Sequence, residues 1–337
     1  MRAAVLRGAG DVQLEERPVP IPRPGEVLIR VDAVGVCGSD SHYYQHGRLG
    51  RFVLDQPLVL GHEASGVVVQ TGVGTLVPRV GQRVSVEPGV PDLSCPQCLA
   101  GRYNLCPAMR FLATPPVDGA FAELIAVHAA FAHPVPEGIS DNAAALLEPL
   151  SVGIWACRKG RVTAGSRVLI TGAGPIGLVC LQVALALGAT EVVVSDVNPA
   201  RLALAQQLGA SAVLDARTTR LGDLGWPPQV LLECSGYPPV ISEAIRALDR
   251  AGRAVLVGMG GEEVTLPLAA VQERELEVTG TFRYANTWPT AIALVEAGRV
   301  DLDRLVTGTY PLEHVEQALT ASRREQATVK AIVVPQT

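Results

Sequence analysis

No block of like charge runs anywhere along these 337 residues, and charged side chains make up only 18% of them. Arg323 and Arg324 are adjacent, but Glu325 follows at once, and the net charge is −5. A nucleic-acid-binding or anionic-membrane surface is therefore not expected. Internal repeats and low-complexity tracts are missing, which excludes solenoids and disordered arrays. The cysteines are seven, an odd number, and three fall within a dozen residues. In a chain this large that pattern speaks against a disulfide framework and for metal. The N-terminal residues lack a long apolar stretch and a cleavage site, so the expectation is a mature cytoplasmic protein. One uncharged stretch, residues 168–190, has the length to cross a bilayer. Its early part holds Gly172-Ala173-Gly174-Pro175-Ile176-Gly177, which reads as a tight turn between a strand and a buried helix, not a membrane span.

What is present is apolar material, 48% of the residues, in a chain whose length suits two domains. The first half carries short strand-like runs, Val27-Leu28-Ile29-Arg30-Val31, Gly66-Val67-Val68-Val69 and Arg83-Val84-Ser85-Val86, separated by turn signals such as Pro24-Gly25. Near Ser151 the pattern changes to strands alternating with helices. Val168-Leu169-Ile170-Thr171 leads into the glycine turn and a helix that Gly188 is placed to stop. Residues 191–195 form the next strand, and residues 199–208 a helix with Asn198 as its cap and Pro199 at its first position. Strands at 230–232 and 254–257 continue the alternation, which predicts an α/β fold with a doubly wound parallel sheet. A helix at 289–297 and a last strand at 330–334 follow, and this tail is expected to return to the first domain. The expected boundaries are 1–150 completed by 285–337 for an irregular β domain, and 151–284 for the parallel-sheet domain.

Gly172-x-Gly174-x-x-Gly177 would be weak evidence by itself, but here it joins a predicted strand to a predicted helix. The first glycine permits the turn, the second lets the backbone approach a pyrophosphate, and the third lets helix and strand pack closely. Gly172, Gly174, Pro175, Ile176 and Gly177 are thus candidate cofactor residues, with phosphates at the helix N-terminus. Asp196, about twenty residues past the turn, matches the carboxylate that binds a ribose diol. Arg201 is the nearby group that would favour NADP; the acid at the strand end makes NAD the expected cofactor.

Two sets of metal-ligating residue types stand out. Cys37, His62 with Glu63, and Glu148 are of the kinds zinc accepts, but they are far apart in sequence, and spacing does not show that they meet. Asp92-x-x-Cys95-x-x-Cys98 with Cys106 has the spacing of a closed tetrahedral site in which Asp92 stands where a fourth cysteine would be expected. A lobe without metal, holding buried thiols, is the other reading of this set.

At this point the sequence resembles the zinc-containing medium-chain dehydrogenases, and within them the sorbitol (polyol) dehydrogenase branch, over nearly its whole length. The general marks are Gly61-His62-Glu63 and the glycine turn. The more specific ones are His42-Tyr43-Tyr44, Gly101-Arg102-Tyr103-Asn104-Leu105, Ala113-Thr114-Pro115-Pro116, Glu148-Pro149-Leu150-Ser151-Val152-Gly153 and Phe282-Arg283-Tyr284-Ala285-Asn286-Thr287-Trp288-Pro289. The resemblance implies a GroES-like β domain plus a Rossmann domain. It implies a catalytic zinc held by Cys37, His62 and Glu148, with Glu63 beside it and binding directly or through water. It implies NAD-linked oxidation of a polyol to a ketose, substrate contacts from Tyr43, Phe111, Arg283 and Tyr284, and a homotetramer. Some polyol members lack the lobe zinc, so the Asp92 departure leaves that site open. Zinc acting as a Lewis acid lowers the pKa of a coordinated oxygen from about 16 towards about 7, on the order of 12 kcal/mol. The proton is expected to leave through Ser39 and His42, or through Glu148 with a water. Rival readings are an L-threonine 3-dehydrogenase, a zinc-free quinone-type reductase using NADPH, and a non-catalytic protein that kept the fold. An intact ligand set argues against the last two.

Overall fold

A computed structural model describes residues 1–336. The chain forms two compact units, Met1–Glu148 with Leu302–Thr337, and Pro149–Asp301. In chain order the elements that matter are β1 (Glu26–Gly35), α1 (Gly38–His46), β2 (Glu63–Thr71), β3 (Arg83–Val86), β4 (Leu124–His128) and β5 (Ala132–Pro134). Then come α2 (Leu147–Gly160), β6 (Arg167–Thr171), α3 (Pro175–Ala186), β7 (Glu191–Asp196), α4 (Pro199–Gln207), β8 (Ala212–Asp215), β9 (Val230–Glu233), β10 (Arg253–Leu256), β11 (Glu277–Gly280) and α5 (Trp288–Glu296). The last are β12 (Val306–Pro311), α6 (Val315–Arg324) and β13 (Lys330–Val334).

The first unit is built on a bent, mainly antiparallel sheet of order β5-β3-β2-β1-β13-β12, with β4 also paired to β1. Register slips along β1 and β2, between Leu28 and Ile29 and between Val31 and Ala33, bend the sheet. Its core gathers Val27, Ile29, Val31, Val34, Leu60, Phe121 and Val333. β13 joins by pairing Val333 with Val34, so the end of the chain lies beside the strand that leads into Cys37.

The second unit holds six parallel strands in the order β8-β7-β6-β9-β10-β11. The order reverses between β6 and β9, the kind of crevice in which open α/β sheets bind ligands. β6 is fully apolar along Val168, Leu169 and Ile170, as a strand covered on both faces must be. α3 is buried along Leu178, Val179, Cys180, Leu181 and Val183, and Gly188 just beyond it has φ +90°. Residues 168–190 are therefore strand, turn and helix, and among the described residues no helix is long and apolar enough to cross a membrane. Asn198 caps α4, its side-chain oxygen accepting from the N–H groups of Ala200 (3.0 Å) and Arg201 (3.3 Å).

The chain re-enters the first unit at Leu302 and not at 285. Residues 286–301 stay with the second unit because Arg158 of α2 donates to the Asn286 carbonyl and to Thr290 Oγ1, both at 2.9 Å. The Gln182 amide also pairs with both backbone groups of Asp301, at 3.2 and 2.7 Å.

Candidate active site

Cys37 follows β1 and stands at the N-terminus of α1. Three residues on, the Asp40 carboxylate is 1% exposed and accepts from the Cys37 N–H at 2.9 Å through Oδ2. Its Oδ1 accepts from the Gly61 N–H at 3.0 Å and lies 3.7 Å from His62 Nδ1. One buried acid thus ties together the two backbone segments that carry Cys37 and His62 and faces the imidazole. Ligand atoms of Cys37, His62 and Glu63 all lie within 4.8 Å of one another. Glu148, buried in the first turn of α2, is outside that set, but its charge is felt at Lys330. Burial opposes a charged His62 ring, yet the Asp40 carboxylate and the Cys37 thiol raise its pKa well above the ordinary value. Such a ring is a site where a divalent cation competes with a proton.

The Glu63 carboxylate is committed. Lys330 Nζ donates to both of its oxygens at 2.8 Å and to the Val36 carbonyl at 3.0 Å. The two side chains are 3% and 1% exposed, a buried ion pair that joins β13 to the start of β2. Burial disfavours the ammonium, but Glu63, Cys37 and Glu148 raise the Lys330 pKa above its usual value.

Ser39 is buried on α1 and His42 is exposed one turn later. His42 Nδ1 lies 2.7 Å from the Arg48 carbonyl, so Nδ1 carries the proton and Nε2 is the free acceptor of the neutral ring. The Phe111 ring sits 5.6 Å from that of His62. Tyr43 is buried in the first unit's core. In the second unit, Tyr284 is buried with its ring 5.3 Å from that of Trp288, and Arg283 stacks over Phe282 at 4.8 Å.

The lobe brings its four residues together: ligand atoms of Asp92, Cys95, Cys98 and Cys106 lie within 4.8 Å of one another. Asp92 Oδ1 accepts from the N–H groups of Ser94 (2.8 Å) and Cys95 (2.9 Å), which aims the carboxylate at the thiols. The Sγ atoms of Cys95 and Cys98 are 3.4 Å apart, and the Cys98 N–H lowers the Cys95 pKa. Three soft sulfurs and one oxygen around a common point suit tetrahedral zinc.

In the glycine turn, Gly172 has φ +88°, and a Cβ on Gly177 would lie 1.8 Å from the Gly172 carbonyl oxygen. A Cβ on Gly174, the residue that caps α3, would meet nothing within 4 Å, leaving open space before the helix N-terminus with Pro175 and Ile176 behind it. Asp196 Oδ2 accepts from the Ala173 N–H at 2.6 Å, so the strand-end acid also braces the turn. Arg201 lies in the first turn of α4.

Asp40 and Lys330 escaped the sequence reading. Asp40 left a trace, an acid three residues after a helix-capping position. Lys330 left a fainter one, a single cation opening an otherwise apolar strand.

Known proteins match both units. The family described as "Alcohol dehydrogenase GroES-like domain" matches residues 23–137, and "Zinc-binding dehydrogenase" matches residues 175–297. The sorbitol dehydrogenase of Gallus gallus is 44% identical over 330 residues, 96% of this chain and 93% of that protein. The sorbitol dehydrogenase of Homo sapiens is 45% identical over 329 residues, 95% and 92% of the two chains. A solved alcohol dehydrogenase from Escherichia coli, complexed with cofactor NADH, superposes with a TM-score of 0.93 at 30% identity, covering 99% of each chain.

Proposed function

We propose that this chain, which belongs to the zinc-binding dehydrogenases with an alcohol dehydrogenase GroES-like domain, oxidises a secondary carbinol of a polyol to a ketone and passes the hydride to NAD. The observation that carries this reading is the gathering of Cys37 and His62 beside a Glu63 whose charge Lys330 already neutralises. With Glu63 committed, the third protein ligand is Glu148, giving one sulfur, one nitrogen and one oxygen. Two anionic ligands then balance a divalent ion.

Zinc bound there supplies the Lewis-acid charge that lets a neutral alcohol lose its proton near pH 7. The chain's own part is to hold, orient and drain. Asp40 fixes both backbone segments and the His62 ring, as outer carboxylates do for metal-binding histidines. Lys330 donates to both Glu63 oxygens and so competes with a metal for that carboxylate, which leaves a coordination position available to substrate. Ser39, buried, takes the substrate proton and hands it to His42 Nε2, which the Arg48 carbonyl leaves free at the exposed end of the path. Asp196 and the 172–177 turn bind the dinucleotide, and the acid disfavours the extra phosphate of NADP.

The lobe holds a second, structural zinc through Asp92, Cys95, Cys98 and Cys106. Phe111, whose ring lies beside that of His62, walls the substrate. A reducing, cytoplasmic setting would keep the cysteines assigned to zinc available as ligands. The resemblance to the polyol branch implies a homotetramer, which light scattering would test.

A steady-state screen of sorbitol, xylitol and ethanol with NAD and NADP tests the whole reading. A site built for several hydroxyls leaves polar groups unpaired when ethanol binds, so ethanol is a poor substrate. Equal efficiency with ethanol, or preference for NADP, would overturn the assignment.

A further inference from the structure

One buried acid of the second unit has no part in the mechanism above. Glu233 ends β9 with none of its surface exposed, and its partners are hydroxyl and backbone N–H donors. Oε1 accepts from Thr171 Oγ1 at 3.1 Å, from the Ser235 N–H at 3.0 Å and from the Ser235 hydroxyl, and Oε2 accepts from the Gly236 N–H at 3.1 Å. Its own carbonyl accepts from the N–H groups of Val257 and Gly258, both at 2.8 Å. A fully desolvated carboxylate is costly unless several donors are fixed around it, so the donors and the loops that carry them must hold one arrangement.

Those loops meet at the sheet's reversal point. A Cβ on Gly172, the first glycine of the turn, would lie 2.9 Å from the Ser235 nitrogen. A Cβ on Gly260 would lie 1.9 Å from the Gly236 carbonyl oxygen. The ends of β6, β9 and β10 are thus stacked backbone on backbone, and the Glu233 side chain is the peg through them. Asp196, the acid assigned above to the cofactor's ribose, ends β7 on one side of β6, and β9 flanks β6 on the other side, which leaves the second nucleotide half to bind there.

We propose that Glu233 is a positioning residue for the dinucleotide: its carboxylate fixes the 234–237 loop against the 172–177 turn and so shapes the nicotinamide-side wall of the cofactor crevice. The inference rests on the NAD reading. Its effect runs through cofactor affinity and not through the chemistry at the metal centre. Glu233→Gln keeps the shape but turns an N–H₂ group towards a loop of donors. Ser235→Ala and Thr171→Val each remove one hydroxyl from the same carboxylate.

The test is fluorescence titration of the zinc-loaded full chain with NADH, alongside steady-state kinetics with NAD and a polyol. Glu233→Gln should raise the NADH Kd and the KM for NAD about tenfold or more, with kcat at saturating NAD and the polyol KM within about twofold. Each hydroxyl variant should raise the Kd about threefold. If Glu233→Gln does not fold, the two hydroxyl variants decide. An NADH Kd within twofold of the parent in every variant that folds, or a fall in kcat with the Kd unchanged, would overturn the proposal. Failure of the parent protein itself to bind NADH would overturn the cofactor reading, and this inference with it.

Discussion

Replacing Lys330 by Met leaves the Glu63 carboxylate buried without the ammonium that contacts both of its oxygens at 2.8 Å. Met fills nearly the same volume, so packing changes little and the cost is that of an uncompensated charge. Breaking a buried pair from one side costs about 3–5 kcal/mol. Against a total stability of about 5–15 kcal/mol, that is a large fraction. Glu63→Gln strands the ammonium instead and should cost a similar amount. The double variant Glu63→Gln/Lys330→Met strands neither and should lose only about 1–2 kcal/mol, because the pair's attraction mostly offsets its own desolvation. The assay is guanidinium unfolding of the zinc-loaded protein, following the transition of the first unit, with the four proteins forming a double-mutant cycle. A coupling of about 3 kcal/mol or more is expected. Additive losses, or a loss under about 1 kcal/mol for Lys330→Met alone, would refute the argument that this pair is buried, charged and interdependent.

Three further outcomes follow from the geometry. His42→Ala should lower kcat at neutral pH by about tenfold to a hundredfold, with the deficit shrinking at alkaline pH where solvent base accepts the proton; an unchanged pH–rate profile removes His42 from the path. Metal analysis of the purified protein should find two zincs per chain, and Cys98→Ser should leave one and lower the thermal midpoint; one zinc in the parent removes the lobe site. Gly177→Ala drives a methyl to within 1.8 Å of the Gly172 carbonyl oxygen and should weaken NADH binding more than about tenfold while the first unit stays folded; unchanged binding contradicts the turn's assignment.

The parallel-sheet unit was the more legible half, for local reasons. Its strands are apolar runs, its turn carries glycines at fixed offsets, and Asn198-Pro199 announces a helix start, so each element is written within about a dozen residues. The first unit keeps its chemistry in long-range pairings. Lys330 and Glu63 stand 267 positions apart, and nothing near either residue records the other. An acid in the first turn of a helix is common, so Asp40 carries no distinctive signal of its own in the sequence, and its reach to Gly61 depends on where β2 begins. The sequence pattern places the return to the first unit at 285, and the folded chain returns at Leu302. What holds residues 286–301 back is a set of side-chain to backbone bonds from Arg158 and Gln182, which leave no periodic signature. The expectation of substrate contacts from Tyr43 and Tyr284 rests on their hydroxyls, and the folded chain buries their rings, since tyrosine is mostly apolar surface.

The most direct test of the central claim is a crystal structure of the zinc-loaded protein with data collected on both sides of the zinc absorption edge. An anomalous peak is expected bonded to Cys37 Sγ at about 2.3 Å, and to a His62 nitrogen and a Glu148 oxygen at about 2.0–2.2 Å, with Glu63 still held by Lys330. A peak bonded to Glu63 in place of Glu148, or no peak beside Cys37 and His62, would contradict it.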